Sequence, residues 1–421
     1  MNSRYKLMSQ TIISAIIFFT LVGCGSSSNE TVTTKAELGE LIFSDKNLSF
    51  NRTQSCSTCH QPNNGFVDSR ENNASINGLS AAASLGDNGF SIGDRNAPTA
   101  AYAASTPEFT NTTRERIGDQ GDNGDYTGYV GGQFWDGRAL NLTDQAGSPP
   151  INSVEMGMAS KADTIDRLRE NEDYLQKFTR IYGADIFDDP NLAYLAMTEV
   201  IAEFEKTDQF SPYDSKYDRS LTGDYNYSVI SKASVGKTLF FSSDFNCTSC
   251  HQLKPRGQSQ ELFSGFEYHN LGVPENTNLR SFNGALGPDL GLFNNAAVAG
   301  DTNQKGKFKT PTLRNVAVTA PYMHNGVFQS IEAVLSFYQH AKMRASKINN
   351  SALINNVINP ETGVTFLDPE VNENISHDLL SASDNDLTPQ IIEQFECFLL
   401  SLTDQRYESL LDPIKISECG L

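Results

Sequence analysis

Cys56-Ser57-Thr58-Cys59-His60 reads C-x-x-C-H, the attachment signature of a c-type haem. Two thiols three positions apart can each add to one vinyl group of the same porphyrin. The histidine that follows lies on the helical turn they begin, so its imidazole reaches the iron as proximal ligand. The pattern returns at Cys247-Thr248-Ser249-Cys250-His251. A single C-x-x-C-H can be half of a zinc site or a dithiol. Two copies, with no second C-x-x-C close by to complete a tetrahedral site, favour two covalent haems.

Each signature has a similar lead-in. Gly39-Glu40-Leu41-Ile42-Phe43 precedes the first and Gly236-Lys237-Thr238-Leu239-Phe240 the second. Both fit Gly-x-x-aliphatic-Phe at the end of a short amphipathic helix, followed by a Ser/Asp-rich turn. This internal repeat predicts two tandem cytochrome c-like haem domains, 36–212 and 228–421, connected by Tyr213 to Tyr227. The expected fold class is all-α with extensive loops, haem itself supplying part of the core. Ser160 with Asp163 starts a capping box. Ile165, Leu168, Leu175, Phe178 and Ile181 then keep helical spacing as far as Gly183. Asp189-Pro190 opens another helix with Leu192, Leu195, Val200 and Phe204 as its core stripe. A C-terminal helix carries Ile391, Ile392, Phe395, Phe398 and Leu399. Asn72 to Asn88 and Ser105 to Tyr129 are rich in Gly, Asn, Asp, Ser and Thr and read as solvated insertions. Within the second, Asp119 to Asp125 faintly resembles a calcium loop but lacks EF-hand spacing.

A chain of 421 residues has length for two or three domains. Arg4 and Lys6 precede the apolar run Ile12 to Val22, too short for a comfortable membrane span. The run ends Leu21-Val22-Gly23-Cys24, which resembles a lipobox. Residues 1–24 therefore read as a lipoprotein signal with Cys24 lipidated, and 25–35 as a tether, Gly25 suiting the outer membrane. An ordinary cleaved signal with an incidental cysteine is the alternative. Of seven cysteines, Cys24 takes lipid and four take haem. Cys397 and Cys419 remain, as a disulfide in an oxidising compartment or as two buried thiols. A net charge of −19 argues against nucleic-acid binding. It serves solubility or the steering of a basic electron-transfer partner.

Between the signatures stands Gln133-Phe134-Trp135-Asp136-Gly137-Arg138, with the only Trp of the chain, then Gln145, Pro149 and Val154-Glu155-Met156-Gly157. After the second come Lys309-Thr310-Pro311-Thr312-Leu313-Arg314-Asn315 and Thr319-Ala320-Pro321-Tyr322-Met323-His324-Asn325-Gly326. On these ordered motifs the chain resembles the bacterial di-haem cytochrome c peroxidases and their MauG-type relatives, from about Ala36 to Thr403. The resemblance implies that the N-terminal haem, on Cys56, Cys59 and His60, reacts with hydrogen peroxide. It also implies that Gln145 and Glu155, ten residues apart, line its distal face. Peroxide on iron needs a base that takes a proton from one oxygen and returns it to the departing one. A carboxylate can do this and an amide can orient it. Taken alone, Glu155 would be a surface carboxylate. Trp135 is implied between the haems, dividing a long tunnelling distance into two hops, where the plain reading is a buried aromatic. The family's calcium ion would take the Asn96 side chain and the main-chain carbonyls of Thr319 and Pro321. The plain reading of Asn96 is a turn residue before Pro98.

Two departures from the peroxidase pattern matter. None of the six histidines, 60, 251, 269, 324, 340 and 377, falls between Gln61 and Asn96, where a second ligand of the N-terminal haem belongs. That haem is expected to rest open, unless His269 reaches it from elsewhere. The family's Met on the second haem, the one held by Cys247, Cys250 and His251, falls here on Tyr338, and MauG-type enzymes have an axial Tyr in this region. Met323, His340 and Met343 are rival ligands, and a packed aromatic is the plain reading of Tyr338. The implied function is a periplasmic peroxidase with two haem c, drawing electrons from a small cytochrome c or cupredoxin. The alternative is a MauG-like oxidase of Trp or Tyr on a partner protein. A non-catalytic electron-transfer cytochrome ranks third.

Overall fold

The structure, a computed structural model, describes residues 34–421 except 70–74, 77–78, 81, 115–124, 255–259, 347–355 and 383–384. The signal and lipobox at 1–24, the tether up to residue 33 and nearly all of the Asp119–Asp125 loop lie outside the described residues. Residues from Thr33 on form one compact unit.

Thr34 starts the first helix, Lys35–Phe43, with a capping box: its hydroxyl accepts from Glu37 N at 3.1 Å while Glu37 Oε2 accepts from Thr34 N at 2.7 Å. Leu38, Ile42 and Phe43 are buried from this helix against the helix Pro190–Glu205. A Cβ added at Gly39 would stand 1.9 Å from Val200 O. The second lead-in helix, Lys232–Phe240, lies in the same way on Pro389–Leu400, where a Cβ at Gly236 would stand 1.8 Å from Gln394 O. The glycine of the repeat is thus a helix crossing closer than one methyl group allows.

Two apolar cores correspond to these helix pairs. One gathers Leu38, Phe43, Phe66, Phe178, Val200 and Phe210, together with Leu262 and Phe266 from beyond the second signature. The other gathers Tyr217, Phe240, Phe263, Phe395, Phe398 and Leu402. Fully burying a side chain of this size contributes about 1.5–3 kcal/mol.

The chain is mostly helix and loop, as expected. Its longest strand pair is an antiparallel hairpin of Thr110–Arg114 with Tyr126–Val130, inside a segment read as insertion. Two further expectations are corrected. The pattern from Ser160 to Gly183 is two helices, Lys161–Arg169 and Glu172–Tyr182, because Asn171 restarts the helix by accepting from Asp173 N at 3.0 Å. Leu192 and Leu195 are 56% and 55% exposed. The buried stripe of that helix is Ala193, Met197, Val200, Ile201 and Phe204, which Gly39 of the first helix meets at Val200 and Phe204. The stretch Tyr213 to Tyr227 contains a capped helix, Lys216–Thr222, with Tyr217 packed in the second core. Cys397 and Cys419 form a disulfide, Cα–Cα 5.2 Å, tying the last helix to Pro389–Leu400. Among the described residues no helix is long and apolar enough to cross a membrane.

Candidate active site and haem cavities

Both signatures open a single turn and lead to a histidine held alike. His60 Nδ1 stands 3.2 Å from Phe66 O, and His251 Nδ1 stands 3.0 Å from Phe263 O. A carbonyl only accepts, so each Nδ1 carries the hydrogen and each Nε2 keeps its lone pair for a metal. Phe66 and Phe263 both have left-handed backbones, φ 54 and 52, which aim their carbonyls back at the rings. Burial lowers the pKa of both imidazoles, His251 to about 4, so they stand neutral. Each histidine shares a cavity wall with the two cysteines of its own signature. Paired thiols beside a neutral, hydrogen-bonded imidazole in a mostly apolar cavity fit a covalent haem.

The first cavity also gathers Gln145, Glu155 and Trp135, as the sequence led one to expect. Gln145 sits on the short helix Leu142–Ala146, capped by Asn141 Oδ1. Glu155 sits in a turn held by Met156 N to Pro149 O at 3.2 Å and Gly157 N to Asn152 O at 2.9 Å. Asn152 Nδ2 donates to Glu155 Oε1 at 2.8 Å, which leaves Oε2 for other work. Burial raises the pKa of the Glu155 carboxyl, opposed by the Arg138 charge and the Asn152 bond. Two residues of this wall carried no assignment from the sequence. Arg138 was visible in the Trp motif only as a basic residue. Glu205 is 4% exposed, and its Oε2 has no hydrogen-bond partner among the described residues. Burial pushes its carboxyl up to about 8. Its one sequence signal is a place four residues after Ile201, on the buried helix face.

Trp135 lines the first cavity and also the second. Its Nε1 donates to Asn96 O at 2.9 Å, and its carbonyl accepts from Lys309 N at 2.9 Å. Arg95 braces the neighbouring residue, bonding Asp136 at 2.7 Å and Asp289 at 2.6 Å. The second cavity carries Tyr338 and Met323 in the same wall as Cys247, Cys250 and His251. Burial raises the Tyr338 phenol well above its ordinary range. His340 faces Phe366 instead, and neither it nor Met343 is in that wall. His269 lines the second cavity beside Glu267, not the first. Asn96 meets Pro321, with Nδ2 2.6 Å from Pro321 O, while its Oδ1 is buried without a hydrogen-bond partner among the described residues. An oxygen so placed suits a calcium ion.

Over 387 residues, 91% of this chain and 92% of the relative, the sequence is 40% identical to the methylamine utilization protein MauG of Paracoccus denitrificans. The family model described as di-haem cytochrome c peroxidase matches residues 33–226. This chain belongs to the di-haem cytochrome c peroxidase family. Over 72% of its length it is also 31% identical to the cytochrome c peroxidase Ccp of Escherichia coli, covering 53% of that protein. The diheme peroxidase BthA from Burkholderia thailandensis shares the fold at a TM-score of 0.72 and 24% identity, over 90% of this chain and 88% of that one. As a member of the di-haem cytochrome c peroxidase family, the chain is an oxidoreductase that acts on peroxide, and the family implies two haem c.

Proposed function

We propose that the cavity of His60 holds the peroxide-reacting haem, and that the His251 cavity holds a second haem that keeps or relays oxidising equivalents. The observation that carries this reading is the company His60 keeps: Gln145 and Glu155 share its cavity, and no second histidine does among the described residues. The only Met in that wall is Met156, whose side chain packs in the first core. A bound haem supplies the site where the O–O bond of peroxide is broken. Glu155 Oε2 takes the proton from the near oxygen and returns it to the far one, while Asn152 fixes Oε1 and Gln145 orients the carboxylate. Trp135, shared by both walls, is the electron bridge. Tyr338 would ligate the iron of the second haem, whose charge would offset the cost of a buried phenolate. Met323 is its remaining rival. Asn96, Pro321 and Thr319 hold calcium through oxygen. The repeated lead-in helices and signatures support two tandem haem domains, 36–212 and 228–421, with Leu262 and Phe266 of the second packed into the core of the first. Export to the periplasm, with Cys24 as the only membrane anchor, rests on the N-terminal sequence.

The reductant is a small cytochrome c or cupredoxin, with no nucleic-acid partner. The 40% identity to a MauG along nearly the full chain favours a second reading, oxidation of Trp or Tyr on a partner protein. One experiment tests the open first haem. Fully ferric protein mixed with stoichiometric hydrogen peroxide should change its spectrum at once in a stopped-flow spectrometer. A change only after one-electron pre-reduction overturns it. Adding a reduced cytochrome or a candidate partner protein then separates the two reductants.

A further inference from the structure

Tyr102 belongs to none of the motifs above. Ala100 and Ala103 line the first cavity, and Tyr102 between them is 1% exposed. Its backbone is left-handed, φ 61, a conformation a bulky residue keeps only where its surroundings impose it. They do impose it. Tyr102 N donates to Phe210 O at 3.0 Å. Its hydroxyl donates to Asp404 Oδ1 at 2.5 Å and accepts from Tyr213 N at 3.3 Å.

Asp404 is fully buried. Its second oxygen accepts from Asn315 Nδ2 at 2.7 Å. Among the described residues no cation pairs with it. Arg314 is hydrogen-bonded to Asp218 at 2.5 and 2.8 Å, and stands over the Tyr102 ring at 5.4 Å. The cluster of Arg314, Asp218, Asp404 and Tyr102 therefore carries one uncompensated negative charge in the interior. Burial pushes the Asp404 carboxyl up to about 6, which makes it a better proton acceptor than an ordinary carboxylate.

Oxidising a buried phenol that keeps its proton would create a cation in a low dielectric. Here the proton has a place to go. We propose that Tyr102, with Asp404 as its proton acceptor, is a one-electron redox site that donates to the peroxide-oxidised haem of the first cavity. In the step the Tyr102 O–H bond breaks and an O–H bond forms on Asp404 Oδ1. One electron leaves Tyr102, which becomes a neutral phenoxyl, and the oxidised haem is reduced by one equivalent. The cluster passes from one negative charge to none, the direction burial favours. The site gives a stranded oxidising equivalent an exit when no external reductant arrives. This inference rests on the reading that the first cavity holds the peroxide-reacting haem.

The test freezes full-length haem-loaded protein after stoichiometric peroxide without reductant, and records both the optical and the paramagnetic resonance spectra. Protein grown on ring-deuterated tyrosine identifies a tyrosyl radical by its narrowed hyperfine pattern. The expected result is a tyrosyl signal in the wild type that is lost in Tyr102→Phe and much reduced in Asp404→Asn, with the peroxide-induced haem spectrum intact in both. A tyrosyl signal that persists in Tyr102→Phe overturns the proposal. So does a wild type whose haems change on peroxide with no tyrosyl signal, and that result leaves the active-site reading standing. No haem change at all defeats that reading first and the proposal with it. If Tyr102→Phe does not fold, retention of the full signal in Asp404→Asn overturns the proposal instead.

Discussion

Glu155→Gln isolates the proton-transfer role. The amide still offers Asn152 Nδ2 the oxygen it meets at 2.8 Å, and side-chain volume barely changes. What is lost is a group able to hold a proton. Gln145 has no titratable proton to exchange. A general acid–base group contributes roughly 10²–10⁴-fold, so kcat/KM for peroxide should fall by that factor, about 2.7–5.4 kcal/mol of barrier. Glu205 is the other carboxylate in the wall and sets which end of the range applies. If it substitutes, the loss stays near the low end, and adding Glu205→Gln deepens it. Because burial raises the Glu155 carboxyl, the wild-type rate should fall with acid at a pH above the ordinary glutamate range, as the base becomes protonated. That acid limb should vanish in Glu155→Gln. Steady-state peroxide consumption from low to neutral pH, on variants whose two haem spectra match wild type, measures both effects. Turnover within a few-fold of wild type with the acid limb unchanged would refute the assignment.

Three further outcomes are expected. Trp135→Phe keeps an aromatic ring in both walls but loses the 2.9 Å bond to Asn96 O; the first haem should still react with peroxide while oxidation of the second slows, and unchanged stopped-flow kinetics at the second haem remove Trp135 from the path. Tyr338→Phe should alter the spectrum of the second haem alone, whereas a sulfur-to-iron charge-transfer band in the wild type assigns that position to Met323. Replacing both Cys397 and Cys419 by Ser opens a loop with a sequence separation of 22 and should cost about 3 kcal/mol in urea unfolding, a reckoning contradicted by a loss below about 1 kcal/mol.

Local chemistry made much of this protein legible from its residues. C-x-x-C-H requires one helical turn, and both turns are present with their histidines in matched hydrogen bonds. The Asp189-Pro190 helix start and the C-terminal helix held because caps and 3.6-residue spacing are short-range properties. Leu192 and Leu195 misled because periodicity finds a stripe but not the face that a neighbouring backbone needs, and here the first helix crosses at Gly39, against Val200 and Phe204. Asn171 interrupts a helix whose apolar spacing continues across it. The burial of Glu205 and the Tyr102–Asp404 bond depend on segments far apart in the chain that close around them, and no local pattern announces either. The choice among Tyr338, Met323, His340 and Met343 is likewise one of three-dimensional placement, and only the first two reach the wall.

The two glycine crossings bear on the order in which the protein assembles. Gly39 touches Val200, and Gly236 touches Gln394, each partner about 160 residues further along the chain. A chain made from its N-terminus has already presented Cys56 to His60 long before the helix that closes over their half exists. The same delay separates Cys247 to His251 from Pro389–Leu400. Each signature thus passes through an interval in which its thiols stand uncovered to a haem-attaching enzyme, and the late helix shuts that interval. A bulkier residue at Gly39 or Gly236 would leave the attachment window open without touching any haem ligand.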